Sequence, residues 1–449
     1  MLGGVALGDA NRGLVLATLV PRVEAMRGGE AWRGAAVAAF SAGRLVATPL
    51  VGSLSWEATT VLAWSAGVAC LGNAAYAASK TAPSVVLSRF VVGLGASCLG
   101  LCRAFVAANT SPASRTSAMA GLGALQFFGF TATSGFALVV DTETLDPLDL
   151  PGLILISLYG LYLVGMVLPW TLLLLLGGAR PAGHVDQERT PLEALTAPLL
   201  PETDDAAEDA DEGVSSEDNG VSSEDDGVRS EDDGVDARTS QSLSAAVWRA
   251  VGVNVAVRSL LGVLETLGAG ALSASYGGAV DAGGASRRSS TIFWGIGCAG
   301  TAVHGAVHLL ASSKLLTDEG MLTGGLACMA LGHGLLAIPS VSRSTPAQVA
   351  ALALAWAVGY PFATSTMLAN LSREMEGCPR LGAAMSLVAW AGSSARVAAP
   401  LLAGLLYDGG EGRAVFATCG ALGMLVTLAV APSSRTHTPA PPGRRQQWA

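Results

Sequence analysis

Twelve runs of about twenty mostly apolar residues constrain this chain more than any other feature of its sequence. A hydrocarbon core about 30 Å thick takes roughly 20 helical residues to cross. Lipid offers no partner to unpaired backbone groups, and the runs lack the alternation of a barrel, so each is predicted as a membrane-spanning helix. The predicted spans are 2–23, 33–54, 58–79, 82–106, 117–140, 152–176, 247–272, 290–312, 320–340, 347–370, 381–406 and 412–431.

The spans fall into two sets of six, which predicts an all-α membrane protein with twelve transmembrane helices in two pseudo-symmetric six-helix bundles. The bundles are predicted at 1–176 and 247–431, with a linker at 177–246 between them and a disordered tail at 432–449. Only 14% of the residues are charged, against about 25% in soluble proteins. This composition excludes an ordinary soluble multidomain enzyme.

The predicted linker is strongly acidic, with 19 Asp and Glu against 4 Arg. Its repeats GVSSEDN, GVSSEDD and GVRSEDD carry one Val each and no apolar seam, so the linker is predicted to be disordered and cytoplasmic. The Ser-Ser-Glu-Asp runs suit an acidophilic kinase, and a cytosolic binding partner is the other candidate. Because the most charged segment would repel phosphate, nucleic acid is not an expected partner.

Two motifs resemble those of the major facilitator superfamily. The fourth span reads Arg89-Phe-Val-Val-Gly93-Leu-Gly95, which is similar to the superfamily's RxxxGxG signature. The segment GRLVATPLVGSLS (43–55) resembles the start of its loop signature, although Ser-Leu-Ser-Trp-Glu follows Gly52 where Asp and several Arg are usual. The resemblance implies two six-helix halves that move around a shared central cavity.

Further patches resemble the lysosomal branch of that superfamily that is linked to ceroid lipofuscinosis, and more distantly the vacuolar phosphate carriers. The resemblance implies an endolysosomal or vacuolar membrane, cytosolic chain ends and permeation of anions such as chloride, with the plasma membrane as the alternative location. The patches are ATPLVGSLS (47–55), RAFVAANTSPASRTSAMA (103–120), the seventh span with Glu265, GYP (359–361) and GSSARVAAPLLAGLLY (392–407).

Ionisable residues inside the predicted spans are the first candidates for function, because each costs roughly 2.5–3.5 kcal/mol at a helix centre. Away from the ends of the spans, five are positive and two negative, and a cavity lined by such a surplus would attract anions. Each also has a structural alternative: an ion pair that aids insertion for the first two, and clasps between helices for the others. The substrate or coupling candidates are Asp9, Arg12, Arg44, Arg89, Arg258, Glu265, Tyr360 and Arg396.

Glycine and proline at helix contacts are predicted to act in gating or packing, because small residues allow close approach and proline bends a helix. His304 and His308 lie one helical turn apart and form either a proton relay or hydrogen bonds between helices; two ligands are too few for a metal site. No metal or cofactor is expected. The predicted gating and packing residues are Gly52, Gly93, Gly95, Pro361, Gly392 and Pro400.

Together these features predict a secondary-active transporter of a small anionic solute that works by alternating access, with proton coupling left open. No P-loop, GxSxG or HExxH motif occurs, so an enzyme is not expected. Two alternatives remain: an anion channel on the same fold, and a membrane scaffold that recruits a partner through the acidic linker. The expected partners are therefore the lipid bilayer and a small solute.

Overall fold

We describe the chain from a computed structural model. It describes residues 2–53, 58–97, 102, 106, 110, 114–139, 149–175, 232–275, 282–313, 315–375, 381–408 and 412–431. These residues are almost entirely helical. Most of the acidic linker, the whole tail and the motif residues 54–57 lie outside the described residues.

Among the described residues, six long helices precede the acidic linker, and each matches a predicted span. The fourth ends earlier than the predicted span 82–106, whose last residues lie mostly outside the described ones. The six helices are α1 (Leu2–Ala25), α2 (Glu30–Ser53), α3 (Ala58–Ala77), α4 (Ala82–Gly95), α5 (Arg115–Val139) and α6 (Leu150–Leu175).

Six long helices also follow the linker, with a short helix Pro339–Ser342 before the fourth of them. The first begins at Asp232, inside the range 177–246 that we predicted as linker. The six are α7 (Asp232–Ser275), α8 (Ala282–Ser313), α9 (Asp318–Ala337), α10 (Thr345–Glu374), α11 (Leu381–Asp408) and α12 (Gly412–Val430).

The two halves contact each other most extensively through α5 with α8 and α2 with α11, and less extensively through α1 with α8 and α5 with α10. At the start of α2, a side chain on Gly34 would overlap the backbone oxygen of Pro400 in α11. A side chain on Gly404 would lie 2.6 Å from the backbone oxygen of Glu30. The halves therefore meet backbone to backbone at the end of the bundle where α2 begins, which we call the far end.

The same use of small residues holds each half together. A side chain on Gly93 in α4 would overlap the backbone oxygen of Phe40 in α2, and one on Gly95 would lie 2.5 Å from the backbone oxygen of Ser65 in α3. Without a hydrophobic effect between helices in lipid, such close approach supplies the packing energy. Gly93 and Gly95 are thus contact residues, whereas Gly52 lies in the last turn of α2.

Large apolar side chains cover the outer surface of the described helices. Leu71, Leu161, Leu309 and Leu428 are each about two-thirds exposed. By length and hydropathy alone, five described helices qualify as membrane spans, all of them in the C-terminal half. The described residues thus form an all-α arrangement whose apolar outer surface suits a lipid bilayer.

Helix α10 contains a turn of π-helix, Leu354–Gly359, immediately before Tyr360 and Pro361. Proline has no N–H and its ring crowds the carbonyl four residues earlier, so a regular helix would be strained here. The wider π turn accommodates this proline, and π turns are frequent at functional sites. Trp356 lies within the turn and is buried.

Candidate functional site

A network of buried charges joins the two halves at the centre of the bundle. Arg12 of α1 bonds Asp9 one turn earlier, with Nη1 2.6 Å from Oδ1, and its Nη2 bonds Glu265 of α7. The other carboxylate oxygen of Glu265 accepts a bond from Arg396 of α11. Gln126 of α5 donates to the second oxygen of Asp9 at 2.7 Å. Glu265 therefore bridges an arginine of the N-terminal half to one of the C-terminal half.

The two bridging arginines have hydrogen-bond donors to spare. Arg12 is 7% exposed and Arg396 is 4% exposed. The Nε of Arg12, and both the Nε and Nη1 of Arg396, are buried without a hydrogen-bond partner among the residues that the structure describes. Buried donors almost always have a partner in native proteins, so these groups require an explanation.

Arg89 of α4 lies in a second polar layer within the N-terminal half. Its Nη1 donates to the backbone oxygen of Asn11 at 3.3 Å, and its guanidinium lies 4.7 Å from the centre of the Phe40 ring. Asn73 of α3 donates to the side-chain oxygen of Asn11 at 2.9 Å, and Asn11 in turn bonds Tyr159 of α6. Arg89 thus contacts α1 and α2, which suits the alternative of a clasp between helices.

Arg258 of α7 contacts Tyr360 of α10. Its Nη1 donates to the Tyr360 hydroxyl at 2.7 Å. Asn254, one turn earlier, donates to the backbone oxygen of Val388 in α11. Gly392 makes this contact possible, because a side chain there would overlap the Asn254 amide. Arg258 and Glu265 share a helix face but make different contacts. Arg258 bonds Tyr360, whereas Glu265 bonds the two bridging arginines.

Aromatic side chains close the space beside the charge network. Phe127 of α5 lies 6.0 Å from Tyr360 of α10, and Phe130 of α5 lies 5.5 Å from Trp356 of α10, measured between ring centres. Phe293 of α8 completes the group, 5.6 Å from Trp356. Rings of the two halves therefore pack directly against each other.

A small cavity lies between these rings and the charge network. Its volume is about 30 Å³, enough for roughly one water molecule. It is lined by both halves, and its walls combine charged, aromatic and hydroxyl side chains, among them Asp9, Arg12, Phe127, Trp356, Tyr360 and Thr364. The structure is thus a closed form of the site.

The two histidines proposed as a relay have different surroundings. His304 is buried, with Nδ1 2.9 Å from the backbone oxygen of Gly300 and its ring 4.9 Å from Phe127. His308 is exposed and bonds Ser117 at the start of α5. Both histidines thus contact α5, which fits the alternative of contacts between helices.

The remaining predicted residues make contacts within a helix or between helices. Arg44 is partly exposed in α2, and its backbone oxygen accepts a bond from Thr48 at 2.7 Å. Pro361 follows the π turn of α10. Pro400 supplies the backbone contact with Gly34, and its ring would touch a side chain at Gly262.

Sequence reasoning missed several polar residues that complete the network. Gln126, Asn11 and Asn73 are buried in spans, and a buried amide inside a membrane helix is the signal that could have identified them. Arg22, near the end of the predicted span 2–23, was also not among the candidates, yet it is 1% exposed and donates to the backbone oxygen of Tyr76 at 2.8 Å.

A second contact between the halves lies at the end of the bundle where α5 and α9 begin, opposite the far end. Arg373 of α10 bonds Asp318 at the start of α9, and the same carboxylate oxygen accepts a 3.4 Å bond from Thr116 of α5. Arg249 of α7 bonds Glu374 nearby in the C-terminal half. The halves are therefore in contact at both ends.

No family model matches the sequence, and no curated protein matches it either. Solved structures do match. The crystal structure of the human organic anion transporter MFSD10 (TETRAN) has a TM-score of 0.59 at 18% identity, covering 96% of this chain and 98% of that one. A mutant of the nucleoside transporter NupG has a TM-score of 0.62 at 11% identity, with the same coverages. These likenesses establish the shared fold.

Proposed function

We propose that this protein is a secondary-active transporter that carries a small anionic solute by alternating access. The observation that carries the proposal is the bridge at Glu265, which joins Arg12 of one half to Arg396 of the other. Major facilitator proteins rock two six-helix halves around a central site. Because this bridge consists of ion pairs, a charged solute that binds beside it also affects the contact between the two halves.

The charge balance of the site supports an anionic solute. Asp9 and Glu265 offset Arg12 and Arg396, while Arg89, which bonds no carboxylate among the described residues, adds positive charge from α4. A cavity with such a surplus concentrates anions and repels cations. The structural neighbours, an organic anion transporter and a nucleoside transporter, support a small solute as cargo.

The bridge also suggests how binding would drive the rearrangement. An anion that takes Arg12 or Arg396 away from Glu265 removes a contact that holds the halves together. A ligand shifts a conformational equilibrium only by its difference in affinity for the two states. Competition with Glu265 supplies that difference, and a proton on Glu265 would weaken the same bridge, which offers a route to proton coupling.

Exchange flux in liposomes containing the purified protein tests this proposal. The probes are labelled chloride, inorganic phosphate, acetate and benzoate, each measured with and without the same unlabelled anion on the opposite side. Alternating access predicts that at least one of them enters faster when its unlabelled form is present opposite. Arg12→Ala is expected to lower this stimulated rate at least tenfold, since it removes a charge-assisted bond across the halves.

Arg413→Ala is the matched control, because Arg413 is exposed at the start of α12. Its flux should equal that of the unchanged protein. A current that is insensitive to anion on the opposite side would instead indicate the channel alternative. Flux of every probe equal to that of empty liposomes would contradict the proposal.

The lysosomal branch resemblance further supports an endolysosomal or vacuolar membrane as the site of action. The patches that carry it lie in both halves, and one of them, GSSARVAAPLLAGLLY, contains the bridging Arg396. Microscopy of the tagged full chain against a lysosomal or vacuolar marker tests the location. Labelling confined to the plasma membrane would contradict it.

A further inference from the structure

The unpartnered donors of the two bridging arginines indicate what the site would bind. The Nε of Arg12 and the Nε and Nη1 of Arg396 are buried and lack a partner among the described residues, although each guanidinium already bonds Glu265. Such donors are expected to meet further acceptor oxygens. The planar fork of a guanidinium matches the two oxygens of a carboxylate or phosphate, whereas a halide has no matching geometry.

The neighbouring carboxylates limit the charge of that ligand. Asp9 and Glu265 both bond Arg12, and the oxygens of Asp9 are already engaged by Arg12 and Gln126. A doubly charged anion would bring a second negative charge next to these two carboxylates. A single negative charge, placed on the spare donors, avoids most of that repulsion. The geometry therefore favours a monocarboxylate over a phosphate dianion.

The aromatic wall limits the shape of the ligand. Phe127 and Phe130 of α5 face Tyr360 and Trp356 of α10 across the boundary between the halves, with ring centres 6.0 and 5.5 Å apart. Aromatic rings prefer such tilted or offset neighbours at 4.5–7 Å. A flat ring placed between α5 and α10 could therefore keep the same kind of contact with both halves.

We propose that the solute is an aromatic monocarboxylate. Its carboxylate accepts hydrogen bonds from the spare donors of Arg12 and Arg396 beside Glu265, and its ring inserts between the aromatic side chains of α5 and α10. This inference rests on the proposed transport function and names its substrate class. In this structure the paired rings fill the space that the ligand's ring would take, and the cavity beside them is only about 30 Å³.

Ligand-induced thermal stabilisation of the purified full chain tests the proposal independently of transport. The probes are benzoate, cyclohexanecarboxylate, acetate, benzyl alcohol, inorganic phosphate and chloride. Benzoate is expected to stabilise the protein with a half-saturating concentration roughly 2- to 10-fold lower than that of cyclohexanecarboxylate, the usual advantage of an aromatic contact. Acetate lacks the ring and benzyl alcohol lacks the charge, so both should stabilise the protein much less.

Two tryptophan variants separate the aromatic wall from general destabilisation. Trp356→Leu should remove the preference for benzoate over cyclohexanecarboxylate while binding of acetate is retained. Trp64→Leu is the matched control, because Trp64 is 61% exposed on α3, and it should keep the full preference. Equal effects of the two variants would contradict the role of the aromatic wall.

The outcomes also separate this inference from the proposed function. If aliphatic and aromatic carboxylates stabilise equally, or if only phosphate or chloride binds, the aromatic substrate class is wrong while an anion transporter remains possible. If benzoate binds with the expected preference but shows no exchange flux in liposomes, the binding site stands and the transport function is wrong.

Discussion

At the scale of single residues, Glu265 illustrates how one carboxylate serves two purposes. Inside a membrane a charge is costly unless it is paired, and this carboxylate pairs with Arg12 and Arg396, which lie in opposite halves. The pairing stabilises the closed form. It also makes that form sensitive to any proton or anion that changes the charge balance.

A double-mutant cycle on Glu265 and Arg396 tests this view. Glu265→Gln leaves two buried guanidinium groups with less negative charge, and breaking a buried pair in this way costs about 3–5 kcal/mol in soluble proteins. Removing the second partner as well should recover part of that loss. We therefore expect Glu265→Gln to lower the melting temperature in detergent more than the double variant Glu265→Gln, Arg396→Gln does.

Glu319→Gln is the control for this cycle, since Glu319 is exposed in the first turn of α9. It should change the melting temperature little. If the double variant melts at the temperature expected from simple addition of its two single variants, Glu265 and Arg396 are not coupled.

At the scale of elements, close approach of helices depends on where the glycines lie. The sequence predicted a contact role for Gly93, and the structure places it where α4 crosses α2 at Phe40. The π turn in α10 was not predicted. The GYP tripeptide at its end could have indicated it, because proline disturbs the hydrogen bonds of the preceding turn.

Gly93→Ala should separate α2 from α4. The added carbon would overlap the backbone oxygen of Phe40, and backbone cannot move aside as a side chain can. Overpacking of this kind typically costs about 1–3 kcal/mol. We expect a lower melting temperature and, since Arg89 stacks on Phe40, a lower rate of solute exchange.

Gly67→Ala is the matched control, because nothing lies within 4 Å of the position that its added carbon would take. It should preserve both melting temperature and exchange rate. A Gly93→Ala protein as stable as this control would show that the helices can part without cost.

At the scale of the whole molecule, the transporter proposal and the scaffold alternative assign the function to different parts of the chain. The halves carry the charge network and the aromatic wall, whereas residues 176–231 lie outside the described structure. The scaffold alternative assigns the function to that segment. The transporter proposal assigns it to the cavity between the halves.

Deletion of residues 201–230 distinguishes these assignments, because it leaves α6 and α7 intact. We expect the shortened protein to keep its exchange flux in liposomes within about twofold, since no described contact of the cavity involves the deleted segment. Any kinase modification or bound cytosolic partner should be lost with it. Loss of flux in a correctly folded deletion protein would contradict the separation of tasks.

The sequence by itself located the long helices that the structure describes, although α4 and α7 differ in length from their predicted spans, since hydrocarbon thickness and backbone hydrogen bonding act on each run of residues locally. It also located the costly charges and the i, i+3 pair of Asp9 and Arg12. Only the tertiary structure decided that Arg12 meets Glu265, 253 residues away, and that Glu265 also meets Arg396. Partners between helices depend on how the helices pack and rotate, which no local pattern specifies.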